Sequence, residues 1–357
     1  MKLCAALLLC VIVVAGHGQE FSRIPLKDPF NSLNASQVEE IKISGEQLAM
    51  FKNGDYVHPT FSPDGKSLAY SKVLVERDFE NTEIFLYNVS TRRTSVLLNS
   101  RSAKKYGTYK AFVLEMDWTS PRRLGVVIHD GDVDSTRLTF DPLTKRLLRK
   151  THQSGDDLET RPLSPAYKRA RQQAVTLFPE FPREVLDSAF LNSALVLPEQ
   201  GIILQKNYAG HDDDVWFLDF KGKSVRRLVN LPQDALYAFR GGLTFESSII
   251  IALAYGSKTY LFLYRDGQIK PLTELKSHGQ SWIEIKHRSS EGVVFLVRTH
   301  ESYEKGDNPL FIFNGDRLLQ VKEYSNLHDA AVDPAGQRIA YCYWEGNQRH
   351  IAIKELN

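Results

Sequence analysis

One pattern limits what this chain can become: a short apolar alternation, a turn built on Asp, Asn or Gly, and a second alternation, written five times. The copies are "FLYNVSTRRTSV" from Phe85, "LTFDPLTKRLLR" from Leu138, "FLDFKGKSVRRL" from Phe217, "FLYRDGQIKPL" from Phe262 and "FIFNGDRLLQV" from Phe311. Side chains along a strand point to opposite faces in turn, so each copy folds as a β-hairpin. A further strand pair precedes each, with turns at "SPDG" (Ser62), "SPRR" (Ser120), "LPEQG" (Leu197), "FESS" (Phe245), "RSSEG" (Arg288) and "DPAG" (Asp333). The strands that follow these turns, such as "SLAYSKV", "SIIIALAY" and "RIAYCYW", are almost continuously apolar, as expected for strands covered on both faces.

The aligned turn positions Asn88, Asp141, Lys221, Arg265 and Asn314 stand 53, 80, 44 and 49 residues apart. That pitch is one four-stranded blade, and it predicts an all-β chain folded as a six-bladed β-propeller. The last repeat starts near Leu327 and stops at "HIAIKELN" after three strands. "GEQLAMFKNGDY", residues 45–56, has the pattern of an outer strand and is expected to complete that blade and close the ring. The long interval holds an insertion at about 151–187. There, "SPAYKRARQQAVTLF" reads as an amphipathic helix capped by Ser164. Because "RPLSPAYKRA" echoes "HPTFSPDGKS", it also reads as a worn strand pair, which would make a seventh blade.

The N-terminus has a different grammar. Lys2, the apolar run "LCAALLLCVIVVAG" and the small residues Gly16 and Gly18 predict a signal peptide over 1–18, too short to span a bilayer, cleaved before Gln19. The expected organisation is signal 1–18, lead segment 19–44 and propeller 45–357, with no transmembrane segment after cleavage. Cleavage takes Lys2 and two of the three cysteines, leaving Cys342 and 44 Lys+Arg against 43 Asp+Glu. A chain so nearly neutral has no electrostatic draw to nucleic acid, and a lone cysteine forms no intrachain disulfide. The expected location is periplasmic or secreted.

The first repeat, "HPTFSPDGKSLAYS", with Pro59, Phe61, Ser62, Pro63, Asp64, Gly65, Lys66, Leu68 and Ala69, resembles the repeat of the TolB-type β-propellers, also called WD40-like or PD40 repeats. "AAVDPAGQRIAY" keeps Pro334, Gly336, Ile339 and Ala340 of that pattern, with Ala335 where the family has Asp. Pro63 presets a tight turn, Gly65 tolerates positive φ, and Asp64 can bond nearby amides, so these residues are turn chemistry. The resemblance implies an exported six-bladed propeller that binds a partner. TolB itself carries a further N-terminal domain, for which the short lead segment leaves no room, so TolB's own place in the Tol-Pal system is not implied.

Loops joining the second and third strands of each blade emerge on one face and gather acids and histidines. They supply His129, Asp130, Asp132 and Asp134 in "HDGDVDS", His211, Asp212 and Asp214 in "AGHDDDVW", and His300, Glu304 and Asp307 in "THESYEKGDNP". These ten residues form the expected ligand-binding face, with Tyr208, Trp216, Tyr303 and Trp344 as its candidate aromatics. The alternating acids of 130–134 resemble the start of a calcium loop. Ser135, however, stands where such a loop needs Gly, so solvated hairpin tips with no cofactor are the expectation and calcium the one ion to test. His58, His278 and His328 lie near the starts of innermost strands, and aligning Pro63 with Pro334 sets His58 opposite Asp329.

The chain has no Gly-x-Ser-x-Gly elbow, no His-Glu-x-x-His and no phosphate-binding glycine loop, and Cys342 in "IAYCYW" reads as a core residue. No catalytic residue or metal ligand is therefore assigned. The first functional reading is a non-enzymatic propeller binding a protein, peptide or envelope ligand on one face. The second is a secreted carbohydrate-active enzyme of the metal-dependent uronate lyase or glycosidase type. A structural module of an envelope assembly is the third.

Overall fold

A computed structural model describes residues 38–356 apart from 53, 77–78, 105–111, 130–134, 154–164, 188–193, 198–199, 206–214, 230–237, 256, 267, 277–280, 300–306 and 325. Its strands form six sheets, each with four antiparallel strands. β1 (Val38–Ile41) and β2 (Gln47–Phe51) lead in. The first blade is β3 (Asp55–Phe61), β4 (Ser67–Glu76), β5 (Phe79–Asn88) and β6 (Arg93–Leu98). A short helix α1 (Ser100–Lys104) leads to the second, β7 (Phe112–Ser120), β8 (Arg123–His129), β9 (Ser135–Asp141) and β10 (Arg146–Gln153). Helices α2 (Pro165–Leu177) and α3 (Arg183–Asp187) precede the third, β11 (Ala194–Leu197), β12 (Gly201–Gln205), β13 (Val215–Asp219) and β14 (Ser224–Val229). The fourth is β15 (Ala238–Phe245), β16 (Ser248–Tyr255), β17 (Lys258–Arg265) and β18 (Gln268–Lys276). The fifth is β19 (Trp282–Arg288), β20 (Val293–Arg298), β21 (Leu310–Phe313) and β22 (Leu318–Val321), and the sixth is β23 (Leu327–Val332), β24 (Arg338–Glu345) and β25 (Gln348–Glu355).

The predicted closure is present: β2 runs antiparallel beside β25, with Met50 opposite Ala352 and Phe51 opposite Ile351. A second clasp was not anticipated. β1, inside the stretch read as a lead segment, pairs in parallel with β22, Val38 opposite Leu318, as a fifth strand of the fifth blade. The turns use the expected chemistry. Gly65 (φ 66°) closes on the Ser62 carbonyl, while Asp64 accepts the Ser62 hydroxyl and the Lys66 amide. Asp333 accepts the amides of Gln337 and Arg338 around Gly336 (φ 69°).

Apolar cores join the blades in order. The first packs on the second through Ile84, Leu86, Val113 and Val126. The third meets the fourth through Phe217, Val215 and Ile251, the fourth the fifth through Phe295 and Leu261, the fifth the sixth through Leu296 and Tyr341, and the sixth the first through Tyr70 and Ile351. Between the second and third the rule breaks. The face of the third blade that carries Ile202, Leu204, Leu218 and Phe220 is buried by Tyr167, Ala174, Phe178 and Leu186 of the insertion. On the second blade, Asp117 is paired to Arg137 over Gly125. The insertion, in its described part, is thus helical as one reading foresaw, and it supplies the apolar layer that a neighbouring blade supplies elsewhere.

Candidate functional site

Five innermost strands carry a β-bulge against their neighbour: β3 between Val57 and Thr60, β7 between Val113 and Glu115, β15 between Phe239 and Gly242, β19 between Ile285 and His287, and β23 between Leu327 and Asp329. A bulge adds a residue to one strand and re-aims its side chain. The residues so displaced include His58, Arg240, Lys286 and His328. At His58 the backbone is left-handed (φ 55°), a costly conformation for a residue with a Cβ.

Three of these side chains meet in a cavity of about 780 Å³ at the ring axis. Its walls come from the first (His58, Phe61), second (Glu115, Arg137), fifth (Trp282, Glu284, Lys286, Arg298) and sixth (His328, Asp329) blades. Four charges alternate in a closed square. The Lys286 ammonium donates to Asp329 Oδ1 and to Glu284 Oε1, both at 2.8 Å. The Arg298 guanidinium donates to Glu284 Oε2 at 3.0 Å and lies 3.0 Å from Asp329 Oδ1. Arg298 also donates to the His328 carbonyl at 2.8 Å, which Asn308 Nδ2 shares at the same distance. Asp329 Oδ1 further accepts the Ala330 amide at 2.7 Å. Arg349 grips Asp55 through Nε (2.7 Å) and Nη2 (2.6 Å), tying the last blade to the first, and its guanidinium lies 4.9 Å over the Trp344 ring.

The two imidazoles respond to this setting. Burial pushes His58 down to about 4, against the pull of Asp329, and His328 down to about 3 for the same reasons. Burial alone would raise the Asp329 carboxyl, but Arg298 and Lys286 outweigh it and hold it well below the carboxylate range. Both histidines are therefore neutral near pH 7. A pH dependence follows. The unfolded chain takes up protons on both imidazoles below about pH 6.5, whereas the folded chain does so only near 4 and 3. Stability is therefore complete above about 6.5 and falls as pH drops toward 4, by up to about 1.4 kcal/mol per pH unit for each proton. Thermal midpoints measured from pH 7.5 to 4 should show this slope. His58→Asn (tolerant of positive φ) with His328→Gln should flatten it; an equal slope in the variant would refute the assignment.

Most of the loop face foreseen in the sequence lies outside the described residues: Asp130, Asp132, Asp134, His211, Asp212, Asp214, His300 and Glu304, together with Tyr208, His278 and Tyr303. His129 ends β8 opposite Ser135. Asp307 accepts the Leu327 amide at 3.1 Å and, through its carbonyl, the Thr299 hydroxyl at 2.8 Å. Trp216 packs edge-on against Phe181, and Trp344 against His328. Cys342 is buried, its thiol 3.1 Å from the Tyr56 carbonyl and pushed up in pKa by burial, which is core behaviour. Among the described residues no group of three or more His, Cys, Asp or Glu is arranged to hold a metal ion, and no helix is long and apolar enough to cross a membrane.

No protein-family profile matches the chain, and no curated protein matches it in sequence. Solved structures do. One belongs to a study of two prolyl endopeptidases and their inter-domain dynamics, with 12% identity over 87% of this chain and a TM-score of 0.32. The chain spans 41% of that protein's length. The β-propeller domain of the Trilobed protease from Pyrococcus furiosus has 10% identity over 85% of this chain and 83% of its own, TM-score 0.31. An oligogalacturonate lyase in complex with manganese has 10% identity over 90% of this chain and 99% of its own, TM-score 0.41. The chain is a β-propeller. Its six sheets, each with four antiparallel strands, and the closure of the last by β2 show this directly.

Proposed function

We propose that this is an exported, TolB-like propeller that binds a protein or peptide partner at the end of its central channel. The observation that carries the reading is the channel wall. Cations and anions are already paired with each other and held by backbone groups, while neutral His58 and His328 and the exposed Trp282 and Ile285 border them. A wall of matched charge with an aromatic rim suits a polypeptide, whose amides and mixed side chains need both donors and acceptors. The signal pattern of 1–18 and the "SPDG" and "DPAG" turns support export and the TolB-like kinship. A metal-dependent lyase reading meets an obstacle at Asp329, whose Oδ1 is taken by Lys286, Arg298 and the Ala330 amide.

A photo-crosslinking residue tests this in living cells. Placed at Ile285, 45% exposed on the channel wall, it should capture a discrete protein or peptide adduct in the exported fraction. Placed at Leu143, 73% exposed in the turn between β9 and β10, it should not. No adduct at 285, or the same adduct at both sites, would end the proposal.

A further inference from the structure

Arg240 occupies on the fourth blade the place that His58 occupies on the first. β3 sets His58 and Pro59 against the single residue Tyr70, and β15 sets Arg240 and Gly241 against Ala252. Both bulges pass through a positive φ, 55° at His58 and 102° at Gly241. His58, Lys286 and His328, bulge residues of three other blades, line the central cavity. The same register turns Arg240 toward the axis from the fourth blade. Its neighbour is the rim of β19. A Cβ on Gly241 would come 3.9 Å from the Ile283 amide nitrogen, and Trp282 and Ile285 of that strand line the cavity.

The charge of Arg240 is unmet. Lys286 and Arg298 each hold Glu284 and Asp329, Arg137 holds Asp117, and Arg349 holds Asp55. Arg240 holds no carboxylate among the described residues, and its Nε is shut off from water with no hydrogen-bond acceptor. Burial draws its guanidinium below the ordinary arginine value, and no anion among the described residues offsets this. Glu115, the exposed carboxylate of the cavity wall, stands on the second blade and makes no bond to it. A half-buried guanidinium without an acceptor costs free energy that an arriving anion offsets.

We propose that Arg240 seats a carboxylate of the polypeptide bound in the channel, which makes the site selective for peptides with a free C-terminus or an acidic side chain. The proposal rests on the reading of the channel as a peptide site. A planar guanidinium fork matches the two oxygens of a carboxylate. The paired cations of the wall have already spent that capacity on Glu284, Asp329, Asp117 and Asp55, whereas Arg240 keeps it for a ligand.

Three pools of random octapeptides, offered to the purified protein on a support, test this. The first has free C-termini and no Asp or Glu. The second has amidated C-termini and one Asp or Glu, and the third has amidated C-termini and no acid. Retained peptides are measured by mass spectrometry. The first or the second pool should be retained at least about tenfold over the third, and the better retained of the two names the source of the carboxylate. Arg240→Gln should bring all pools to the level of the third, with Arg240→Lys between. Without peptide, the thermal midpoint of Arg240→Gln should equal or exceed that of the parent protein, because the substitution removes a charge that has no partner. A midpoint lower by more than about three degrees would mean that Arg240 has a structural counter-ion, and would overturn the proposal. Equal retention of the three pools, or an unchanged preference in Arg240→Gln, would overturn it and leave the channel a peptide site. Retention of no pool would overturn both it and the peptide reading.

Discussion

Replacing Asp329 by Ala is expected to destabilise the protein by about 3–5 kcal/mol, because it leaves Lys286 and Arg298 buried with one partner between them. The side chains of Asp329, Lys286 and Arg298 are 7%, 10% and 14% exposed, and the remaining anion, Glu284, is 38% exposed and already bonded to both cations. The Ala330 amide also loses its acceptor. Asp329→Asn, which keeps an oxygen but not the charge, should cost less. Adding Lys286→Met and Arg298→Met to the Ala variant should recover much of the loss, since removing a buried charge is costly mainly when its partners stay behind. Urea unfolding at pH 7 measures all three. A loss below about 1 kcal/mol for the Ala variant would show that the square is solvated and contributes little.

The second large effect is expected from a chain that begins at residue 53. It lacks β1 and β2, and with them the pairing on β22 and β25. It also loses the Ile43 carbonyl and amide bonded by Lys354 and Glu323, and the Phe51 ring set 4.8 Å from Tyr70 and 5.2 Å from Tyr87. The fit at this closure is tight: a Cβ on Gly45 would come within 2.0 Å of the Glu355 carbonyl oxygen. Two bare strand edges and an unfilled core should cost more than ~5 kcal/mol of a typical ~5–15, lower the midpoint by ten degrees or more, and promote association through the edges. Phe51→Ala isolates the packing share. An unchanged midpoint in the truncated chain would mean that the ring holds without its clasps.

The hairpins were legible because period-two alternation and turn residues are local signals, and the closing strand because "QLAMF" repeats an outer-strand pattern. "VEEI" of β1 has no alternation, and nothing local marks a parallel partner 280 residues away. The channel square was hidden for a related reason. Bulges break alternation at single residues, so Lys286 in "WIEIKHR" reads as a solvent-facing residue until the strand is seen to turn it inward. The offset from the turn prolines aligned His58 with Asp329 as equivalent repeat positions, which argued against a shared histidine site; in the structure the two interact electrostatically from the neighbouring first and sixth blades. The acidic loops drew attention by composition, while the paired charges came from distant repeats, which composition cannot join.

The clasps also set a timetable. Ribosomes make β1 and β2 before any blade exists, yet their partners, residues 318–321 and 351–354, follow about 300 residues later. Until those partners emerge, these early strands have no native partner, and closing so long a loop is slow. A nascent chain halted before residue 318 thus displays two unmated strands, which is the window in which a holding chaperone would find most to grip.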